Sequence, residues 1–432
     1  MTPQWIGKLV TLLLPKNQFA KNVLTLMTGT GLAQAIPIAL SPILTRLYTP
    51  EDFGAFGLYI SACAILVVFV TGKYEVAIVV AKRDNEALNL VAVTIVCSFL
   101  ISALFLGVIF IFGDKLVSLI RHPEILIWLY FVPLTTWTLG CYHALNYWSN
   151  RSSRYKSMAA SRVIQSSTSG VSQLVAGLVE LGSLGLIWGQ LAGQFIATLF
   201  LAKSLPPNDR RLFRRVSLRR MACVTRKHMD YPRYMMTGQA VSVSAVELPM
   251  LLLTIFFGVG IAGFYSLAQR VMAAPLSLVS NAIGDVYRQK AAEQYARHGE
   301  CKEFFLATFK QLLIFALLPL LPVLLFGPTL FAFFFGEAWR AAGEIGAILS
   351  ILAFFQTASS PLSSTVIFAG WLHLDLIWQL SRLALTSIAF YFCHKLGASY
   401  QQTIAMHVGV FSSLYILHTF WQYKVARGLS GN

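Results

Sequence analysis

The sequence has little charge, since only 12% of its 432 residues are Asp, Glu, Lys or Arg, while 56% are hydrophobic. Soluble domains carry roughly a quarter charged residues, so the composition excludes an ordinary soluble protein. The strict polar–apolar alternation of membrane β-barrel strands is also missing. Apolar runs of about 20 residues recur instead, the length that a helix needs to cross a bilayer. We therefore predict an all-α, polytopic membrane protein.

The sequence also lacks the motifs of an active site. It has no P-loop, no His/Cys/Asp cluster with metal-ligand spacing, and no long outward loop that would hold catalytic residues. The six cysteines show neither ligand nor disulfide spacing and are interpreted as small buried hydrophobes. We therefore predict a protein that is not an enzyme, with no metal and no cofactor.

Twelve membrane spans are predicted. They lie near 22–44, 54–72, 87–112, 125–148, 160–181, 184–203, 235–257, 260–282, 306–326, 342–366, 373–393 and 402–423. With a cytoplasmic N-terminus, the inner segments hold 27 of the 34 Lys and Arg residues and the outer loops hold 5. Positive residues gather in cytoplasmic loops, so this bias predicts that both termini are cytoplasmic. It also explains the net charge of +16 without nucleic acid.

The chain divides near its middle into two similar halves. Three residues recur about 207 to 209 positions later, as expected for a duplicated unit: Gly29 as Gly238, Pro42 as Pro249 and Gly54 as Gly263. We predict a six-helix bundle at 1–203, a basic cytoplasmic linker at 204–234 and a second six-helix bundle at 235–432.

Two segments outside the spans are also interpreted. The Arg pairs of the linker have helical spacing, compatible with an amphipathic helix on the anionic inner leaflet. The simpler alternative is ordinary retention of positive charge on the cytoplasmic side. Residues 1–18 are interpreted as an uncleaved interfacial segment, because Lys8 and Pro15 interrupt their apolar run.

Polar residues form stripes inside five of the spans. Span 5 carries Arg162, Ser166, Ser169, Gln173 and Glu180 within one narrow helical sector. The other stripes are Thr30, Gln34, Ser41 and Thr45 in span 1; Ser244, Glu247 and Thr254 in span 7; Ser266, Arg270, Ser277 and Asn281 in span 8; and Asp375, Gln379, Arg382 and Thr386 in span 11. Polar groups in a bilayer normally face a bundle interior, so the stripes predict a central cavity.

The charge of this predicted cavity is mainly positive. Guanidinium groups bind phosphate oxygens in bidentate fashion, which favours an anionic, phosphate-bearing substrate. The candidate binding residues are Arg270, Arg162, Arg382, Lys73, Glu75, Gln34, Gln173 and Asn281. Glu247 is the candidate for ion coupling, since a lone buried carboxylate readily changes protonation. Two of these arginines have an open alternative to a role in the cavity. Arg162 lies near enough to the cytoplasmic face of the membrane to extend its guanidinium there. Arg382 can instead pair with Asp375 on the same helix.

Four stretches resemble a known family: LTRLYTPEDFGAFGLY (44–59), KYEVAIVVAKRDNEA (73–87), GVGIAGFYSLAQRVMAAPLSLVSNAIGDVYRQKAAE (258–293) and LLFGPTLFAFFFGEAWRAAGEIGAIL (324–349). They are similar to the polysaccharide transporter branch of the multidrug/oligosaccharidyl-lipid/polysaccharide exporters, specifically bacterial O-antigen flippases. Arg270, Lys73 and Glu75 lie within the matching stretches, whereas Glu247, Arg162 and Arg382 rest on the helical pattern alone.

This resemblance implies two six-helix bundles around a cavity that opens alternately to each side of the bacterial inner membrane. It implies movement of undecaprenyl-diphosphate-linked oligosaccharide units, driven by an H⁺ or Na⁺ gradient. A polysaccharide polymerase and a chain-length regulator are the implied protein partners. Three alternatives remain: a multidrug or metabolite antiporter on the same fold, a membrane polymerase or transferase, and a non-transporting component of a polysaccharide assembly complex.

Overall fold

The computed structural model describes residues 18–120, 125–207, 209 and 216–428. Twelve helices of 20 or more residues occur in this part of the chain: α1 (Gln18–Leu47), α2 (Pro50–Thr71), α4 (Asp84–Ile120), α5 (Ile125–Arg151), α6 (Tyr155–Leu178), α7 (Ser183–Lys203), α9 (Met236–Phe257), α10 (Val259–His298), α11 (Lys302–Phe335), α12 (Arg340–Ser359), α14 (Leu372–Lys395) and α15 (Tyr400–Ala426). Three shorter helices are α3 (Tyr74–Val80), α8 (Leu218–Lys227) and α13 (Ser364–Phe368).

The prediction of an all-α membrane protein is confirmed. No strand occurs in the described residues, and 9 of their helical segments are long and apolar enough to cross a bilayer. The long helices α5, α6 and α10 fall outside those nine, and the last two carry predicted polar stripes. The chain is therefore a multi-pass membrane protein. The count of twelve spans and the cytoplasmic termini stay predictions.

Two local expectations differ from the structure. Glu180 does not continue the polar face of span 5, because α6 ends at Leu178 and Glu180 lies exposed in a turn with φ of +58°. The span predicted at 342–366 is not one helix, since α12 ends at Ser359 and a 3₁₀ turn, Ser360–Ser363, precedes α13. Pro361 explains this break, because proline lacks the N–H that would continue the α-helical bonding.

Helix α2 begins within the stretch 44–59 that resembles the known family. The residues at its start explain why a helix begins there. The Thr49 hydroxyl accepts a hydrogen bond from the Asp52 N–H at 3.2 Å, and the Asp52 carboxylate accepts one from the Thr49 N–H at 2.9 Å. Pro50 occupies the first helical position, where its missing N–H costs nothing. This capping box fixes the direction in which α2 enters the bundle.

The two halves meet where α2 crosses α10. A methyl group on Gly54 would lie 1.8 Å from the Val259 carbonyl oxygen, and one on Gly263 would lie 1.8 Å from the Pro50 carbonyl oxygen. Only glycine allows so close a crossing. Gly54 and Gly263 are one of the repeated pairs in the sequence, so corresponding positions of the two halves contact each other here.

Trp339 packs against the same end of the molecule. Its indole N–H donates to the Thr45 carbonyl oxygen at 3.0 Å, and its ring meets the Phe53 ring edge-on at 5.0 Å between centroids. Trp339 belongs to the Phe-Gly-Glu-x-Trp stretch that follows α11. Trp339 of the second half therefore packs against α1 and α2 of the first half.

Within the first half, α6 and α7 pack through Gly185, Gly189 and Gly193, which recur every four residues along α7. A methyl group on Gly189 would lie 2.4 Å from Gln173 Cγ, and one on Gly193 would lie 2.1 Å from Ser169 Oγ. Small residues at this spacing let two helix backbones approach closely. This packing holds the polar face of α6 in a fixed orientation.

Part of the linker is a helix that belongs with the first half. In α8, Val224 is buried while Arg219 and Arg226 are exposed, so this segment is amphipathic as predicted. Lys227 Nζ and His228 Nε2 lie 2.6 and 2.8 Å from Glu86 Oε1 at the start of α4. The Arg pairs at 210/211 and 214/215, like residues 1–17 of the predicted interfacial segment 1–18, lie outside the described residues.

Candidate functional site

A polar cavity of about 410 Å³ lies in the first half, between α1 and α6. Its lining includes four glutamine side chains and two arginines: Gln34, Gln165, Gln173, Gln190, Arg162 and Arg270. Five of these come from the first half, and Arg270 reaches in from α10 of the second. The cavity therefore uses residues from both halves of the chain.

The two arginines of this cavity have no acidic partner. Among the described residues, neither Arg162 nor Arg270 has a carboxylate oxygen within 4.0 Å, and none of the cavity lining is Asp or Glu. Arg162 Nη1 donates to the Thr30 hydroxyl. The Arg270 guanidinium lies 5.3 Å from the Phe56 ring centroid and 5.9 Å from that of Phe53. The site therefore presents positive charge that an anion can neutralise.

Several hydroxyls of the predicted stripe on α1 are already satisfied by their own helix. Ser41 Oγ donates to the Pro37 carbonyl oxygen at 2.6 Å, and Thr45 Oγ1 donates to that of Pro42 at 3.2 Å. Gln34 and Thr30 are the stripe members on the cavity lining.

A second pocket, of about 270 Å³, lies at the junction of α2, α9 and α10. Its polar residues include Ser61, Glu247, Gln269 and Arg270. Ser61 Oγ donates to Glu247 Oε2 at 2.6 Å, a bond that joins the first half to the second. Arg270 lines both this pocket and the larger cavity, so Glu247 lies beside the cavity that the arginines line.

A third cavity, of about 350 Å³, lies in the second half between α10 and α12. Its polar residues are amides and hydroxyls, among them Asn281, Gln269 and Gln356, and its lining contains no charged residue. Ser277 Oγ donates to Gln34 Oε1 at 3.5 Å, which connects this face of α10 to α1 of the first half. Asn281 thus lies in a neutral region apart from the arginines.

Three sequence candidates lie away from these cavities. Arg382 is 8% exposed and lies between α14 and α15, with the rings of Trp378, Phe411 and Tyr415 at 5.4 to 6.0 Å. Lys73 and Glu75 form an ion pair of 3.6 Å at the corner between α2 and α3. The side chain of Asp375, the alternative partner of Arg382, lies outside the described residues.

The lining also contains residues that the stripes did not single out. Gln165 precedes the stripe member Ser166 by one position, and Gln190 lies between the packing glycines Gly189 and Gly193. A glutamine inside an apolar span was the available signal for both. Ser61 gave no signal, because its importance depends on Glu247, 186 positions later.

Long helices packed around internal polar cavities, with positive charge inside, define a membrane transporter fold. The chain is similar to the lipid II flippase MurJ in an inward closed conformation, with a TM-score of 0.71, 12% identity and coverage of 93% of this chain and 89% of that one. It is also similar to an inward-facing multidrug resistance MATE family transporter of the MOP superfamily, with a TM-score of 0.63, 15% identity and coverage of 93% and 94%. At such identities the likeness shows the fold alone.

A transporter of the MOP superfamily from Pyrococcus furiosus has the same fold, with a TM-score of 0.63, 16% identity and coverage of 94% of this chain and 96% of that one. The family model described as polysaccharide biosynthesis protein matches residues 43–344. The chain belongs to that family. This confirms the family resemblance expected from the sequence.

A curated relative adds to the family match. The succinoglycan biosynthesis transport protein ExoT of Rhizobium meliloti (strain 1021) is 24% identical over 333 residues, which are 75% of this chain. The match spans 63% of the length of that relative.

Proposed function

We propose that this protein is a flippase that moves a lipid-linked oligosaccharide, carried on a diphosphate, across the bacterial inner membrane. The observation that carries the proposal is the cavity lined by Arg162 and Arg270, neither of which has a carboxylate oxygen within 4.0 Å among the described residues. Membership of a polysaccharide biosynthesis family and a fold shared with a lipid II flippase support it. O-antigen units or related surface polysaccharides are the proposed cargo.

The cavity chemistry fits the two parts of such a headgroup. A diphosphate would bring negative charge directly to Arg162 and Arg270, which have no carboxylate oxygen within 4.0 Å among the described residues, and the guanidinium fork matches its oxygens. Sugars present many hydroxyls, which the side-chain amides of Gln34, Gln165 and Gln190 can both donate to and accept from. A cationic drug gains nothing from such a lining, so the basic charge argues against the antiporter alternative.

Movement follows from the way in which the halves meet. The crossing at Gly54 and Gly263 brings the backbones of the two halves into direct contact, and under the predicted topology it lies on the outer side. Alternating access in repeat-built transporters is a rocking of one bundle against the other around a fixed site. We infer that this crossing opens when the cavity releases its cargo outward.

We assign ion coupling to Glu247. Its carboxylate accepts the Ser61 hydrogen bond between the halves and lies in the pocket that Arg270 also lines. Binding of H⁺ or Na⁺ to this carboxylate would weaken its attraction for the Ser61 hydroxyl. The ion would thus change the contacts that hold the halves together.

The experiment measures surface polysaccharide and lipid-linked intermediates in cells that depend on this protein. We expect Arg162→Ala and Arg270→Ala each to reduce export by about tenfold or more, because a hydrogen bond to a charged group contributes about 1.5–3 kcal/mol and 1.4 kcal/mol is a factor of ten. Intermediates should accumulate on the cytoplasmic side. Arg270→Lys, which keeps the charge, should retain part of the export.

Arg297→Ala is the matched control, because Arg297 is exposed and pairs with Glu293 on its own helix at 2.6 Å. The two residues are four positions apart and so share one face of the helix. Normal export by both cavity variants at normal protein levels would contradict the site assignment.

A further inference from the structure

The stretch KYE at residues 73–75 lies away from the cavities, yet it builds a buried charged cluster. Gly72 and Lys73 both have positive φ, +56° and +59°, and this corner turns the chain from α2 into α3. The Glu75 side chain is 3% exposed. Its Oε1 lies 3.6 Å from Lys73 Nζ, and its Oε2 is buried and has no hydrogen-bond partner among the described residues.

Helix α5 completes the cluster from the other side. His143 is close enough to interact electrostatically with both Glu75 and Lys73, and Tyr147, one turn further along α5, interacts with Glu75. Arg151 is engaged elsewhere, because it bonds the carbonyl oxygens at the end of α3 and the Asp84 carboxylate.

Two further elements pack against this corner. From α4, Cys97 interacts with Tyr74. The π-helix Tyr231–Met235 lies beside Gly72 and carries Arg233, which has no carboxylate oxygen within 4.0 Å among the described residues. In the described part of the chain, the groups that interact with Glu75 are Lys73, His143 and Tyr147.

Among the described residues, no hydrogen-bond donor reaches Glu75 Oε2. A buried carboxylate oxygen without a donor is unfavourable, and either a proton on Glu75 or an N–H of His143 directed at it would satisfy the oxygen. A proton bound at Glu75 also removes the counter-charge of Lys73. Uptake of one proton would therefore change both the hydrogen bonding and the ion pair at this corner.

The position of the cluster connects it to the moving parts. Helix α2 ends at this corner. Ser61, near the middle of α2, donates a hydrogen bond to Glu247, and Gly54, near its start, lies at the crossing with α10. On α5, the neighbouring Tyr142 lines the arginine cavity. A rearrangement at the corner is thus transmitted along α2 to the junction of the halves.

We propose that Glu75, His143 and Lys73 form a proton-binding site, separate from the substrate cavity, whose occupancy sets the position of α2. Proton binding at Glu75 stands on the cluster alone. The link to transport rests on the proposed flippase function.

Infrared difference spectra of the purified protein in liposomes test proton binding directly, without substrate. Over roughly pH 4 to 8, where carboxyl groups and histidine titrate, the protonated carboxyl C=O band of a buried acid should appear on acidification. Glu75→Gln should remove this band, and His143→Gln should shift the pH at which it appears. Glu293→Gln, an exposed carboxylate, should leave it unchanged, and Glu247→Gln should remove a different band.

A wild-type spectrum without a buried-acid band, or a band that persists in Glu75→Gln, would overturn the proposal. If Glu75→Gln does not fold, Glu75→Asp must move the band, because the shorter side chain changes its distance from Lys73 and His143. Should Arg162→Ala and Arg270→Ala leave export normal while the Glu75 band is present, the flippase assignment fails and the proton site stands.

Discussion

At the scale of single residues, the Ser61–Glu247 bond is the smallest connection between the halves. The bond is 2.6 Å long and engages a carboxylate, so we expect it to contribute about 1.5–3 kcal/mol to this arrangement. Ser61→Ala should lower the midpoint of thermal unfolding, because the Glu247 oxygen loses its donor. Glu247→Gln added to Ser61→Ala should lower it little further, since the two side chains act as a pair.

Ser413→Ala is the control for this comparison. Ser413 is exposed and its hydroxyl bonds the Gly409 carbonyl oxygen of its own helix at 2.9 Å. Strictly additive effects of Ser61→Ala and Glu247→Gln would show that the bond between them is not formed.

Helical phase predicted which side chains share a face, but not what lies opposite that face. Helical phase was sufficient for Arg162 and Gln34, which both line the cavity between α1 and α6. For Arg382 the opposite surface is the aromatic face of α15, which no pattern on α14 could reveal. Lys73 and Glu75 depend on a corner with two positive φ angles, and a lysine at such a position gives no sequence signal. Their roles in binding stay predictions.

At the scale of helices, the crossing of α2 and α10 is the most constrained contact. Gly54→Ala would place a methyl group against the Val259 carbonyl oxygen, a backbone atom that cannot turn away. We expect this variant to separate α2 from α10 and to expose Cys63, which is 3% exposed on α2. In a variant with Cys63 as the sole cysteine, Gly54→Ala should increase the rate of maleimide labelling.

Gly107→Ala provides the matched control, because a methyl group on Gly107 of α4 would have no heavy atom within 4 Å. An unchanged labelling rate in Gly54→Ala, with an intact fold, would mean that the crossing is looser than the structure indicates.

The long helices could be predicted because each needs only a sustained apolar run, and most of their ends lie near the expected ones. Helices α4, α10 and α11 are exceptions, because they end at Ile120, His298 and Phe335 where the predicted spans end at 112, 282 and 326. Breaks were harder to predict. The end of α12 depends on a single proline within Ser360–Ser363. The end of α6 depends on the turn at Glu180, a residue whose charge and spacing had predicted that it belongs to the helix. Periodicity cannot tell a polar residue facing a cavity from one just beyond the end of a helix.

At the scale of the whole molecule, the repeat explains why one cavity uses both halves. Corresponding glycines meet at the crossing, Trp339 of the second half supports α1, and Arg270 of the second half enters the cavity of the first. The division into 1–203, 204–234 and 235–432 stays a prediction. In the described part of the linker, α8 and His228 contact α4, so we expect this segment to move with the first half.

The central claim is that the arginine cavity carries a diphosphate-linked glycan across the bilayer. The direct measurement uses liposomes containing the lipid-linked oligosaccharide that accumulates when this protein is removed, and an impermeant oxidant that reacts only with exposed sugars. With the wild-type protein, glycan from both leaflets should become reactive. With Arg162→Ala and Arg270→Ala combined, as in protein-free liposomes, only the outer leaflet should react. Equal reaction with the wild type and the double variant, or none beyond protein-free liposomes with folded wild type, would contradict this account.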